Sequence, residues 1–224
     1  MTERPAVVVF DVNETLSDLT PLATRFTDVG APEHLAALWF AGVLRDGFAL
    51  AAAGSAQPFA RIGAGLLRVL LAGQPLRREL DDAVTHVMSG FADLPVHPDV
   101  PDGLRRLRAA GLRVVTLSNG SADVADGLLR RAGVRDELEV LLTVEDAGVW
   151  KPAPGAYDHA ARRCGVAPGD LMLVAVHPWD VDGAARAGLR TAWVDRAGGD
   201  YPDYLTAAEL TVSGLDDLAA RLGA

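Results

Sequence analysis

"VVVFDVNETLSDL", residues 7–19, runs four apolar residues into Asp11 and then into the polar stretch Asn13-Glu14-Thr15. Continuous apolar, β-branched residues read as a strand buried on both faces, as in a parallel sheet, and the switch to polar residues marks where it stops. A buried strand ending on a carboxylate needs a reason. So does the residue two positions later, which is Asn13 rather than a second acid.

Comparable runs recur at "AVVVF", "LRVVTL", "LEVLLT", "LMLVAV" and "RTAWV", with helix-like segments between most of them. The alternation predicts an α/β fold with a Rossmann-like parallel-sheet core. After "VVTLSNGS" a helix is expected to start at Ser121, a good N-cap, and to stop near Gly133, a good C-cap. Between the first two strands the rhythm breaks: Leu35, Leu38, Trp39, Gly42 and Val43 stand at helical spacing in an Ala/Leu-rich stretch. Residues 21–91 read as an inserted all-helical cap with helices over about 33–53, 57–73 and 76–89, on a core of residues 1–20 and 92–224. The Pro-rich "ADLPVHPDVPDG" reads as the return linker.

The 224 residues, 50% of them apolar, can fill a substantial core. A single cysteine, Cys164, forms no internal disulfide and reads as a small buried hydrophobe. The apolar run before Asp11 is too short for a signal h-region or a membrane span, which points to a cytoplasmic protein with no membrane partner. A net charge of −9 disfavours nucleic acid and anionic lipid, since both require basic surface. A small anionic substrate in a locally basic pocket remains compatible with it.

Open parallel sheets bind ligands at the carboxyl ends of their strands. The polar residues there are Asp11 with Asn13 and Thr15, then Ser118 and Asn119, then Lys151, then His177 and Asp180. An ionised, poorly solvated Asp11 is a competent nucleophile, though spacing alone equally allows a turn cap. Lys151 could keep it ionised, or be a solvated surface lysine. Ser118 and Asn119, with the N–H groups opening the next helix, form an anion site or simply a turn. Asp180 could bind a cation or a water, while Asp182 better suits capping of "DGAARAG".

Together, "FDVNETL", "LSNGS", "WKPAPGAY" and "HPWDVDGA" resemble the haloacid dehalogenase superfamily over nearly the whole chain, and most closely its type II (L-2-haloacid) dehalogenase branch. The resemblance implies a metal-free, cofactor-free hydrolase acting on a small haloacid. Asp11 would be the nucleophile, hydrogen-bonded by Thr15 and Ser118 and paired with Lys151. Asn119 would bind the substrate carboxylate, Tyr157 would support the site, and Asp180 would hold Lys151 or the hydrolytic water. Magnesium phosphatases of the superfamily carry an acid where Asn13 stands, because their leaving oxygen needs a proton. A halide leaves without one, so Asn13, a candidate substrate contact, favours carbon–halogen chemistry.

The chain also departs from that branch. Phe40 follows Trp39 where the branch has a halide-binding Arg, and the nearest is Arg45 in "LWFAGVLRDGF", either in the same cleft or solvated. Ala175 and His177 replace a Ser and an Asn. His177, beside Trp179, could donate to a halide, a carboxylate or a water, or could be structural. Trp39, Phe40, Phe48 and Phe59 could wall an apolar cleft, fill the cap's own core, or support a homodimer. Dehalogenation is the expectation, with a magnesium phosphohydrolase and a non-catalytic carboxylate-binding protein as rivals.

Overall fold

The computed structural model describes residues 4–224. Strand β1 (Val7–Phe10) is followed by five helices, α1 (Leu22–Asp28), α2 (Leu35–Ala52), α3 (Phe59–Leu71), α4 (Leu80–Ala92) and α5 (Val100–Ala109). The chain then alternates through β2 (Arg113–Ser118), α6 (Ala122–Arg131), β3 (Val140–Thr143), α7 (Val144–Ala147), α8 (Pro154–Cys164), β4 (Leu171–Ala175), α9 (Pro178–Arg186) and β5 (Arg190–Val194). Strand β6 (Leu210–Val212) and helix α10 (Leu215–Arg221) complete it.

The six strands are all parallel, in the order β3-β2-β1-β4-β5-β6. Strand order therefore reverses between β1 and β4, and the crevice beyond their carboxyl ends is the place where such sheets take ligands. Period-two alternation divides β1 between two cores. Val8 and Phe10 pack with Leu104, Leu107, Leu215 and Leu218 on one face, and Val7 and Val9 pack with Tyr157, Ala160 and Val181 on the other.

The helical insert between β1 and β2 is present, with differences in detail. Helix α1 was absent from the sequence expectation because its seven residues follow Pro21 and include Thr24, Arg25, Thr27 and Asp28. Helix α5 begins inside the Pro-rich stretch read as linker. Pro101 sits in its first turn, where the missing N–H breaks no helical bond. Strand β6 is a three-residue edge whose Thr211 is exposed, too short and too polar to register as an apolar run. Helix α6 has its N-cap at Ser121, whose Oγ accepts from the Val124 N–H, and Gly133 follows its end with φ +66°. Asp182 does not cap a helix. It lies within α9, pairs with Arg186 at 2.9 Å and accepts from the Thr206 N–H.

Helix α2 is long and apolar enough to cross a bilayer. Instead Leu35, Trp39, Phe40 and Val43 pack into one apolar cluster with α1, α3 and α4, and that cluster continues into Val144, Trp150 and Ala156 of the core. Trp39 donates from Nε1 to the Gly63 carbonyl at 2.9 Å and lies edge-on to Phe59 and Phe91. Gly47 of α2 meets the Trp150 ring so closely that a Cβ there would lie 2.3 Å from it.

Candidate active site

Asp11 follows β1 at the strand-order reversal, and its N–H donates to Val174 of the neighbouring β4 at 3.1 Å. One carboxylate oxygen, Oδ1, accepts from Lys151 Nζ at 2.8 Å. The other, Oδ2, accepts from Thr15 Oγ1 at 2.8 Å and lies 3.2 Å from His177 Nδ1. Thr15 in turn accepts from the Val176 N–H, so the loops after β1 and β4 are stitched together beside the carboxylate.

Lys151 is fully buried and bridges two acids, reaching Asp180 Oδ2 at 2.6 Å as well as Asp11. Tyr157 donates its hydroxyl to Asp180 Oδ1 at 2.6 Å. Gly183 lets α9 approach this group, since a Cβ there would lie 2.6 Å from Pro152 and 2.7 Å from the Tyr157 hydroxyl. The lysine precedes a cis proline, Pro152.

Burial would raise the Asp11 pKa, but the Lys151 charge and the His177 hydrogen bond outweigh it and hold the carboxyl well below its usual range. Burial would neutralise Lys151, and its two carboxylate partners instead raise its pKa. Asp180 is pushed up by burial, with the nearby Asp11 charge adding to that. Tyr157 stays a protonated donor, raised by burial and by Asp180. Asp11 is thus an ionised carboxylate with only 4% of its side-chain surface open.

His177 holds its two ring nitrogens against two carboxylates, Nδ1 towards Asp11 and Nε2 towards Glu14 Oε2 at 2.8 Å. Burial alone would depress its pKa, yet the hydrogen bonds and charges of Asp11 and Glu14 lift it to about 9. At neutral pH it is an imidazolium donating from both nitrogens. Trp179 stacks against it at 5.0 Å and Phe40 at 6.2 Å between ring centroids, contacts that suit a cation.

Glu14 was not singled out from the sequence. Among the described residues it alone combines a side chain with a left-handed backbone, at φ +62°, and its carbonyl accepts from His97 Nε2 at 2.9 Å. No local pattern announces it, because its partner His177 lies 163 residues away.

Several of the expected site residues bond to other partners in the structure. Ser118 Oγ accepts from the Gly120 N–H at 2.9 Å rather than bonding Asp11. The Asn119 amide is engaged at both ends by the Lys151 backbone, donating to its carbonyl at 3.3 Å and accepting from its N–H at 3.0 Å. These two bonds fix the lysine loop and leave the second amide N–H of Asn119 free to donate. Asn13 is buried close to Ser118: its Nδ2 lies 3.6 Å from where a Cβ on Gly120 would stand, and Ser118 Oγ lies 3.2 Å from the same point.

Trp39 is sequestered in the cap core. Arg45 is 69% exposed in its side chain and pairs with Asp46. Six residues along a helix turn the side chain by about 240° past a full revolution, so Arg45 faces away from Trp39 despite its proximity in sequence. Phe40 and Trp179 remain beside the site, and Phe48 touches Trp179 at 4.8 Å.

Among the described residues no group of three or more His, Cys, Asp or Glu side chains forms a metal site. The donors also do not fit magnesium at Asp11. Its oxygens and those of Asp180 are taken up by Lys151, Thr15, His177 and Tyr157.

A cleft of about 520 Å³ opens beside His177 and Glu14, between the segment around α1 and one face of α2. Leu19, Leu22 and Ala23 line one side, and Ala37, Ala41 and Leu44 the other.

Known proteins resemble the chain in sequence and fold. A family model for haloacid dehalogenase-like hydrolases matches residues 5–188. (S)-2-haloacid dehalogenase 4A of Burkholderia cepacia is 30% identical over 208 residues, 91% of this chain and 88% of that protein. Haloacetate dehalogenase H-2 of Moraxella sp. (strain B) is 32% identical over 126 residues, so the matched stretch spans 56% of each. Among solved structures, a dehalogenase with an intermediate complex superposes with a TM-score of 0.92 at 26% identity, covering 100% of both chains. The L-2-haloacid dehalogenase of Xanthobacter autotrophicus gives a TM-score of 0.85 at 25% identity over 98% of both. With the sheet order, the helical insert and this extent of similarity, the chain belongs to the haloacid dehalogenase-like hydrolases, in their L-2-haloacid dehalogenase branch.

Proposed function

We propose that this protein hydrolyses the carbon–halogen bond of a 2-haloalkanoic acid through an ester on Asp11. The observation that carries the reading is the carboxylate itself: buried, held ionised by Lys151 and His177, and followed two residues later by Asn13 instead of a proton-donating acid. An Asp11 oxygen attacks C2 of the substrate, the new C–O bond forms as the C–X bond breaks, and the halide leaves with the bonding pair. The substrate carboxylate lies towards the first-turn N–H groups of α6, where the helix dipole favours an anion.

Esterification removes the negative charge of Asp11, one of the groups that keep His177 protonated. His177 then releases a proton to solvent and becomes a base oriented by Glu14. It takes a proton from water as the oxygen attacks the Asp11 carbonyl carbon, and returns it to the departing 2-hydroxy acid oxygen. The regenerated Asp11 carboxyl finally passes its own proton to His177. One halide and one proton are released per turnover.

Incubation with 2-chloropropionate and with chloroacetate, with and without EDTA, tests the reading. Halide release that is insensitive to EDTA and lost in Asp11→Asn is expected. Absence of halide from every short haloacid would overturn it. Magnesium-stimulated hydrolysis of an aryl phosphate would instead favour a phosphohydrolase, and saturable binding without an Asp11 adduct would favour a carboxylate-binding protein.

A further inference from the structure

The cleft beside His177 is far larger than a two- or three-carbon acid requires. Its volume of about 520 Å³ lies in the range that accepts drug-sized ligands. Its α2 wall is a continuous helical face: Ala37, Phe40, Ala41 and Leu44 stand at i, i+3, i+4 and i+7. Alanines at two of these positions leave the space open, and Leu19, Leu22 and Ala23 face them from the other side. No Lys or Arg lines the cleft among the described residues. Its charged lining is Glu14, Glu33 and His177.

The cleft also adjoins the chemistry. His177 and Glu14 line it, and His177 Nδ1 lies 3.2 Å from the Asp11 carboxylate. Asp11 itself is not part of the lining, so a substituent on C2 of a substrate at Asp11 reaches the apolar cleft past His177 and Glu14. From Ala37 to Leu44 the α2 wall extends roughly 10 Å, comparable with the extended tail of an eight-carbon acid.

Resting on the dehalogenase reading above, we propose that the preferred substrates are 2-haloalkanoic acids with an extended, uncharged aliphatic tail, which lies between the α1 segment and the Ala37–Leu44 face of α2. Glu14 and Glu33 in the lining repel a second carboxylate, so a tail ending in an acid is a poorer substrate than the plain alkyl chain.

Halide release by the full chain from chloroacetate, 2-bromopropionate, 2-bromohexanoate, 2-bromooctanoate and 2-bromooctanedioate tests this. For the monoacids kcat/KM is expected to rise by about three- to fourfold per added methylene until the cleft is filled. The diacid is expected to fall below the octanoate. Ala37→Phe and Ala41→Phe, at exposed helix positions where a ring does not threaten folding, are expected to lower the eight-carbon to three-carbon ratio of kcat/KM by on the order of tenfold. Halide release that is flat or falling beyond three carbons, or a ratio unchanged in both variants, would overturn the tail assignment and leave dehalogenation standing. No halide from any acid would overturn both.

Discussion

The floor of the site and its roof are built on opposite terms. On the floor Asp11, Lys151, Asp180 and Tyr157 are all buried, and each carboxylate oxygen has a named donor within 3.2 Å. The roof offers Phe40, Ala41 and Leu44 with no cation among them, and Arg45 turns outward to Asp46. Labour is divided between the two. Charge is concentrated where the strand order reverses, inside a scaffold that holds it to fixed geometry, while the cap contributes shape and apolar surface. His177 stands on the border, bonded to the floor through Asp11 and stacked on the roof through Phe40.

Removing the nucleophile is the hardest test of the floor. Asp11→Asn is expected to cut halide release by on the order of 10⁴-fold or more, with the fold retained by circular dichroism. Next comes Lys151→Met, which leaves the buried Asp180 without a counter-ion and Asp11 with His177 alone. It should destabilise the protein by about 3–5 kcal/mol in urea unfolding, and a smaller loss when Asp180→Asn is added would confirm the cause.

The border residue gives an intermediate effect. His177→Gln is expected to lower kcat by roughly 10²- to 10⁴-fold while still forming the ester, which should accumulate on Asp11 and be visible in the intact mass. Its stability effect has a definite sign. The His177 pKa is raised from 6.5 to about 9 on folding, so its contribution is fully present below 6.5 and is lost as pH rises through about 9. The melting-temperature gap between parent and His177→Gln should thus be wide at pH 6 and close by pH 10. The smallest effect belongs to the roof: Arg45→Ala should leave halide release unchanged, and a large fall would place a working cation in the cap.

Legibility in the sequence followed the same boundary. The strands of the core, and with them Asp11, Lys151 and Asp180, stood out because each comes in the polar stretch after an apolar run, whereas Tyr157, inside α8, was reached only through the family resemblance. The cap helices were legible as periodicity, but the side that each presents was not. Trp39 and Arg45 sit close in sequence, yet one is core and the other solvent. The bonds from Asn119 to the lysine loop, and the part played by Glu14, were hidden for another reason. They depend on partners 32 and 163 residues away, and no local spacing encodes such a contact.

Trp150 gives the molecule one more property. Its ring stacks on Phe59 at 6.1 Å and its Nε1 donates to the Gln57 carbonyl at 3.0 Å, both in the insert, while the next residue is the lysine that holds Asp11. A single peptide unit thus ties the insert to the counter-ion. A cap transplanted from another chain would have to reproduce the Trp150 socket, including the bare Gly47 beneath its ring, or it would displace the ammonium group from the nucleophile. The insert of this protein is therefore not an interchangeable module: its identity and the reactivity of the strand-end carboxylate are inherited together.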